Sequence, residues 1–564
     1  MSLRVLSAAL AVGIGLVGVV VSASPAAAAD PATPVQVAIA VPITVPESAG
    51  GLISGDVLSR YTAPLGTLSL QLDAVAGKPV SLGIDPRIIV SIRVLGSNAP
   101  ESAVAWLQRL SAVSNEIFPL TYADSDITLA TQAGNGTVLA PDGFDFAIDP
   151  TLFSAPNSTP TPTPTPADSP TPSATPPATA DPTVPVVPAL PTSADLEAWS
   201  YSFSGVAWPR DSTVVAADLP LITGSGYDTT VVSSDNLNRG AGAGAVADVD
   251  GARILVSDAS VSAALRSAVH TFSSTDWQTD VATLNAAVAS AGIVQSAATA
   301  TVFATLDRTS LNNGTRLADT ISAVQANPAI QLVTMADLQA SPSASATVID
   351  RPQDTERVVS MGQLLGAQAA EEQFAEIADD PRAITSERRL ELLALQSNGW
   401  SNNPAGWPAV VSKNLTESVE LLRSVQVAST GDFNFLAAAA PLPIAISNSL
   451  DQAVTVYVTV RPDTGLLAVG DSRVELVIEP NSQASAMIPA QAVSNGVVGI
   501  TVTLTSSTGA IIGDASRARI NVQAGWETPV VVIIAVLVVG IFGGGLVRNI
   551  VRLRRAAAAR GAAE

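Results

Sequence analysis

The residues of this chain with the most chemical potential are aspartates that close short apolar, β-branched runs. Asp85 follows Pro79–Ile84, and Asp124 and Asp126 sit at the end of Ile117–Tyr122. Asp258 follows Arg253–Val256, and Asp307 follows Thr301–Leu306. Facing carboxylates cleave glycosidic bonds, one protonating the leaving oxygen while the other serves as base or nucleophile. Tyr122 and Trp208 occupy the same strand-end positions and offer flat faces to a sugar ring, and Arg308 completes a ligand-binding set. An aspartate after a strand also caps the helix that follows, and at any single position capping is the stronger reading. With the run that ends in Ser233-Ser234-Asp235, six polar-ended strands taken together point to a ligand-binding face without establishing catalysis.

Other chemistries find little support. There are no cysteines in 564 residues, so neither a disulfide framework nor a thiolate metal site can form. The single histidine, His270, lies at the end of a helical segment among Val261, Leu265 and Val269. A Ser-His-Asp triad would have to use it, and no Gly-x-Ser-x-Gly elbow is present. Asp248-Val249-Asp250-Gly251 resembles the opening of a calcium loop but lacks the downstream glutamate, so it reads as a turn. No metal and no cofactor is expected.

The elements that must position these residues come from periodicity. Between Pro34 and Leu338, eight apolar runs alternate with helical segments such as Ala99–Val113, Val261–Val269, Trp277–Ala291 and Thr315–Ala326. That alternation implies parallel strands with right-handed crossovers. Seven or eight units predict an α/β fold of the (β/α) barrel type over residues 30–340, with ligands at the strand C-termini. Residues 157–191 interrupt it with a Thr/Pro tract that cannot build a core. Leucines spaced three and four apart then predict a helical spacer over 341–440 packed against the barrel, with Trp400 and Trp407 as core plugs. Alternating apolar and polar residues predict an immunoglobulin-like sandwich of six or seven strands over 441–525.

Both ends carry membrane signals. Arg4, the apolar run Val5–Val21 and Ala27-Ala28-Ala29 make residues 1–29 a signal peptide. From Val530 to Val547 no residue is polar, roughly 27 Å of helix, so 529–547 predicts a single span. The arginines of 548–564 place that tail in the cytoplasm and the rest of the chain outside the cell membrane. Without Arg4 and the tail, the outer part carries about −26, which argues against nucleic acid as a ligand.

Several of these stretches resemble a known group. Asp85-Pro86 after its strand, Trp106-Leu107 in a helix, Pro119–Asp126 and Val206–Pro209 are similar to an uncharacterised actinobacterial envelope family. The resemblance covers nearly the whole chain and implies an export signal, a barrel, a β-sandwich and a C-terminal anchor. It also implies a gene beside the lipid II flippase of cell-wall synthesis, and hence that flippase as a partner. The barrel is more distantly similar to polysaccharide deacetylases and glycosidases. Those deacetylases hold a metal with an aspartate and two histidines, which a chain with one histidine cannot supply. Two functions follow as expectations. One is a non-catalytic glycan-binding or accessory module in peptidoglycan synthesis; the other is a glycoside hydrolase using the five aspartates.

Overall fold

The computed structural model describes residues 33–153, 190–295, 299–309, 314–428, 433–470, 473–523 and 527–560. The signal peptide and nearly all of the Thr/Pro insertion lie outside the described residues. Each of the eight apolar runs contains a strand. They are β1 (Val35–Ile43), β2 (Ser81–Ile84), β3 (Ile117–Pro119), β4 (Val206–Ala207), β5 (Thr229–Ser233), β8 (Ala252–Ser257), β9 (Thr301–Thr305) and β10 (Ile330–Leu332). Three more, β6 (Leu237–Arg239), β7 (Val246–Val249) and β11 (Ala344–Val348), complete an eleven-stranded sheet. Alternate residues of β1 serve two cores. Val37, Ile39, Val41 and Ile43 face the helices, while Ala38 and Ala40 face Phe118, Trp208 and Phe303 on the other side.

The closed (β/α) barrel expected from the alternation is not what forms. A parallel series runs β3-β2-β1-β9-β8-β5-β4, but its end strands β3 and β4 do not pair with each other. β7 pairs antiparallel with β8, and β6 antiparallel with β11, so the sheet is mixed. Two physical causes are visible. Asp250 and Gly251 both have positive φ and turn a tight hairpin between β7 and β8, occupying an edge that a barrel would give to a parallel neighbour. β3 and β4 are also only three and two residues long. The space beside β3 is filled by the irregular segment before β4. Ser202 N–H donates to the Ile117 carbonyl, and Phe203 stacks on Phe118 with ring centroids 5.4 Å apart.

Helices Thr355–Ala375, Pro381–Leu395 and Trp407–Leu422 pack onto the first body. Leu129 and Ala130 share a core with Met361, Leu364, Leu392, Trp400 and Trp407, and Tyr122 shares one with Leu390 and Leu393. Beyond lie two sheets, of four and five strands among the described residues, packed over one core. The four are β12 (Val425–Val427), β14 (Ala439–Asn448), β16 (Leu467–Val469) and β18 (Ser482–Ala492). The five are β13 (Phe433–Phe435), β15 (Val454–Pro462), β17 (Val474–Ile478), β19 (Gly496–Thr505) and β20 (Ile511–Val522). Burial alternates along β15, as inward and outward side chains must in a sandwich. Seven of these strands, β14 to β20, fall in the stretch expected to hold six or seven, while β12 and β13 join from the chain before it, β13 pairing with β20 in parallel.

The last element is a helix, Glu527–Arg560, which continues through the arginines instead of ending at Val547. Its stretch Val530–Arg555 is long and apolar enough to cross a membrane, and none of its apolar window is buried against the protein.

Candidate functional site

Three of the predicted site residues, Asp85, Asp124 and Asp126, are buried around one turn at the end of β3. Asp85 caps the helix Pro86–Val94, its Oδ1 accepting from Arg87 N at 2.9 Å. The same oxygen accepts from Ala123 N at 2.8 Å. Ala123 and Asp124 are consecutive non-glycine residues in the left-handed region, at φ 58° and 48°. Such a backbone costs about 1–2 kcal/mol per residue and persists only where its surroundings hold it. Asp85 grips this turn from below, and Asp124 uses it to aim its carboxylate at Arg308. The guanidinium binds it in fork geometry, Nε to Oδ2 at 3.0 Å and Nη2 to Oδ1 at 3.1 Å. Asn398, from the helical region, donates to the Asp124 carbonyl at 3.1 Å and to Oδ1 at 3.3 Å.

Burial dominates the electrostatics. The Asp85 carboxyl, only 2 % exposed, is raised to about 7, chiefly by desolvation and against the pull of Arg87 and the two backbone donors. Asp124 is also raised by burial, with Arg308 and Asn398 working the other way. Asp126, fully buried, caps the helix Ile127–Gln132. It accepts from Thr128 N and Oγ1 at 3.2 and 2.8 Å and from Gln353 Nε2 at 2.5 Å.

The residues expected to bind a ligand are part of the same network. Arg308 donates to the Trp208 carbonyl at 2.9 Å and places its guanidinium carbon 4.3 Å from the Trp208 ring centroid. A sugar would have to displace that cation, and Trp208 is 4 % exposed. The Tyr122 hydroxyl is buried and donates to the Gly51 carbonyl at 2.8 Å; burial drives its pKa up.

Asp258 and Asp307 stand apart from this cluster. Asp258 caps the helix Ala259–His270 by accepting from Val261 N at 3.0 Å. Asp307 Oδ1 lies 3.3 Å from His270 Nε2 and also accepts from Thr309 N at 3.2 Å. Burial pushes its carboxyl up, but His270, Arg266 and Thr309 together outweigh that and hold it below the usual range. The cavity lined by His270, Asp307, Arg308 and Thr309 measures about 10 Å³, space for one water and no sugar. Among the described residues, no cluster of three or more potential metal ligands occurs.

Sequence reasoning passed over several participants. Asn398 and Gln353 reach Asp124 and Asp126 from 274 and 227 residues away, with no local signal. Asp218 is buried among Thr131 Oγ1 at 2.7 Å, Gln132 Nε2 at 2.9 Å and Val215 N at 2.9 Å, and burial raises its carboxyl. Its place in the first turn of the helix Asp218–Gly224 was the one available hint.

Residues 15–559 match the profile of a family of unknown function (DUF6049), and the chain belongs to that family. No curated protein matches it. Among solved structures, it is similar in part to native alpha-2-macroglobulin of E. coli, at 20 % identity and a TM-score of 0.15. That likeness covers 18 % of this chain and 7 % of the other, so the chain spans a small fraction of the macroglobulin's length. The C. elegans MSP family member WR4 is similar at 11 % identity and a TM-score of 0.14, over 18 % of this chain and 98 % of that one. A PapD-like domain of human CEP192 is similar at 9 % identity and a TM-score of 0.14, covering 18 % and 84 %.

Proposed function

We propose that this member of the DUF6049 family is a membrane-anchored, extracytoplasmic envelope protein with no chemistry of its own. On this reading it is a glycan-binding or accessory module in peptidoglycan synthesis. The observation that carries the non-catalytic part is the engagement of the aspartates. Asp85, Asp126 and Asp258 cap helices, both oxygens of Asp124 are held by Arg308, and Asp307 faces His270. A general acid or nucleophile needs an oxygen within reach of the substrate, and here Asp124 and Asp126 spend both oxygens on the fold and Asp85 spends one. The export-like N-terminus, the apolar C-terminal helix and its arginines support the location. The resemblance to envelope proteins encoded beside a lipid II flippase supports a wall glycan or its precursor as ligand and that flippase as partner.

One observation favours the glycoside hydrolase reading. The Asp85 carboxyl, raised to about 7, titrates where a general acid should. Its enclosure by the amides of Arg87 and Ala123 weighs against that use. The test is release of reducing ends from purified wall glycan by the full chain in detergent micelles, with Asp124→Asn alongside. No release by the wild type is expected; release that the substitution abolishes, at a temperature where the variant is still folded, would overturn the non-catalytic reading.

A further inference from the structure

We infer that a groove at the N-terminal end of β3 binds a saccharide of two or three rings. This rests on the glycan-binding reading above and moves its site away from the strand C-termini, where Arg308 covers Trp208 and the cavity beside Asp307 is too small. The groove has a volume of about 590 Å³, within the range of roughly 300–1,000 Å³ typical of small-molecule sites. Arg93, Val113, Trp199, Ser200 and Ser202 line it, with Ile117 of β3 at its base.

Its walls are rigid for reasons on the page. Arg93 Nη1 donates to the carbonyls of Asp195, Leu196 and Ala198, which end the helix Ser193–Glu197. The guanidinium is thereby fixed, its carbon 5.6 Å from the Trp199 ring centroid, and among the described residues it makes no ion pair with a carboxylate. Ser202 is fixed in turn, its Oγ accepting from Ile117 N at 3.0 Å. Trp199 is half-buried and Ser200 exposed.

This combination suits a sugar. A pyranose presents C–H faces to an indole ring and hydroxyls to a fixed donor, so one aromatic wall and one preorganised guanidinium can orient it. A single cation without a carboxylate partner accepts a neutral or singly acidic ring. A polyanion would meet the field of an outer body carrying about −26.

The test is isothermal titration calorimetry on the full chain in detergent micelles, with chitotriose and maltotriose as probes. We expect saturable one-to-one binding of at least one probe, with a Kd of about 1 mM or below. Trp199→Ala and Ser200→Trp should each weaken it by about tenfold or more. Ser200 is exposed, so filling the groove from that position leaves the melting temperature unchanged and separates loss of the site from loss of the fold. Binding that survives both substitutions would overturn the groove while leaving the glycan-binding reading in place. Failure of the wild type to bind either sugar would overturn both, as would a groove that takes a Thr-Pro repeat peptide and neither sugar.

Discussion

Asp85 performs two tasks with one oxygen, starting a helix and holding the left-handed turn that presents Asp124. Its folded-state pKa of about 7 stands well above the ordinary 3.8. The folded protein therefore binds a proton there that the unfolded chain has already released. Its contribution to stability is complete below about pH 4 and is lost as pH rises through 7. A shift of that size corresponds to a difference on the order of 4 kcal/mol. Asparagine at this position keeps the cap and has no proton to lose. Denaturant unfolding of Asp85→Asn should therefore show a flatter dependence than the wild type between pH 4 and 7. An identical slope in both would show that Asp85 does not titrate in this window. The aspartates were legible as a group, because all follow apolar runs. Capping, the stronger reading at any single position, is what Asp85, Asp126 and Asp258 do. The role of Asp124 was not legible, since a structural carboxylate and a catalytic one have the same local sequence. Only the partners, Arg308 and Asn398 from distant segments, separate the two cases.

Strands and helices of the first body follow their sequence periods closely. The β1 run and the leucine-spaced helices need only local pattern to be placed. Sheet closure depends on something pattern does not carry, namely whether β3 and β4 are long enough to pair. The Asp250-Gly251 hairpin did leave a signal, read only as a turn when its flanking apolar runs could have been read as paired strands. The helical layer is expected beside the first body, but its individual contacts leave no local signal. Gly51 shows how close it is, because a Cβ there would sit 2.3 Å from Leu390 Cβ and 2.9 Å from the Leu390 carbonyl carbon. Gly51→Ala should destabilise the protein by about 1–3 kcal/mol through overpacking. Gly136, with nothing within 4 Å of its virtual Cβ, is the matched control. Equal melting temperatures for the two alanine variants would mean that this contact contributes nothing to stability.

At the scale of the molecule, the helical layer joins the mixed sheet to the sandwich. Phe374 and Ile377 enter the sandwich core, while Asn398 reaches the Asp124 turn. The C-terminal helix stands clear of both, with an apolar surface that only a membrane or another apolar partner would cover. Deleting residues 527–564 should move the protein from the membrane fraction to the soluble fraction of lysed cells. Retention in the membrane fraction would show that another segment anchors it. Composition made this apolar helix plain, because its length and apolarity are read from one unbroken run. The union of the bodies needed contacts between residues hundreds of positions apart.

Asp124 contributes to that union as a structural member, held by Arg308 and by Asn398 of the helical layer. The most direct measurement is the melting temperature of the full chain carrying Asp124→Asn. Neutralising one side of a buried pair leaves the Arg308 charge unmatched, at a cost of about 3–5 kcal/mol. A fall of about 5 °C or more is therefore expected. An unchanged melting temperature would contradict the structural role assigned to Asp124.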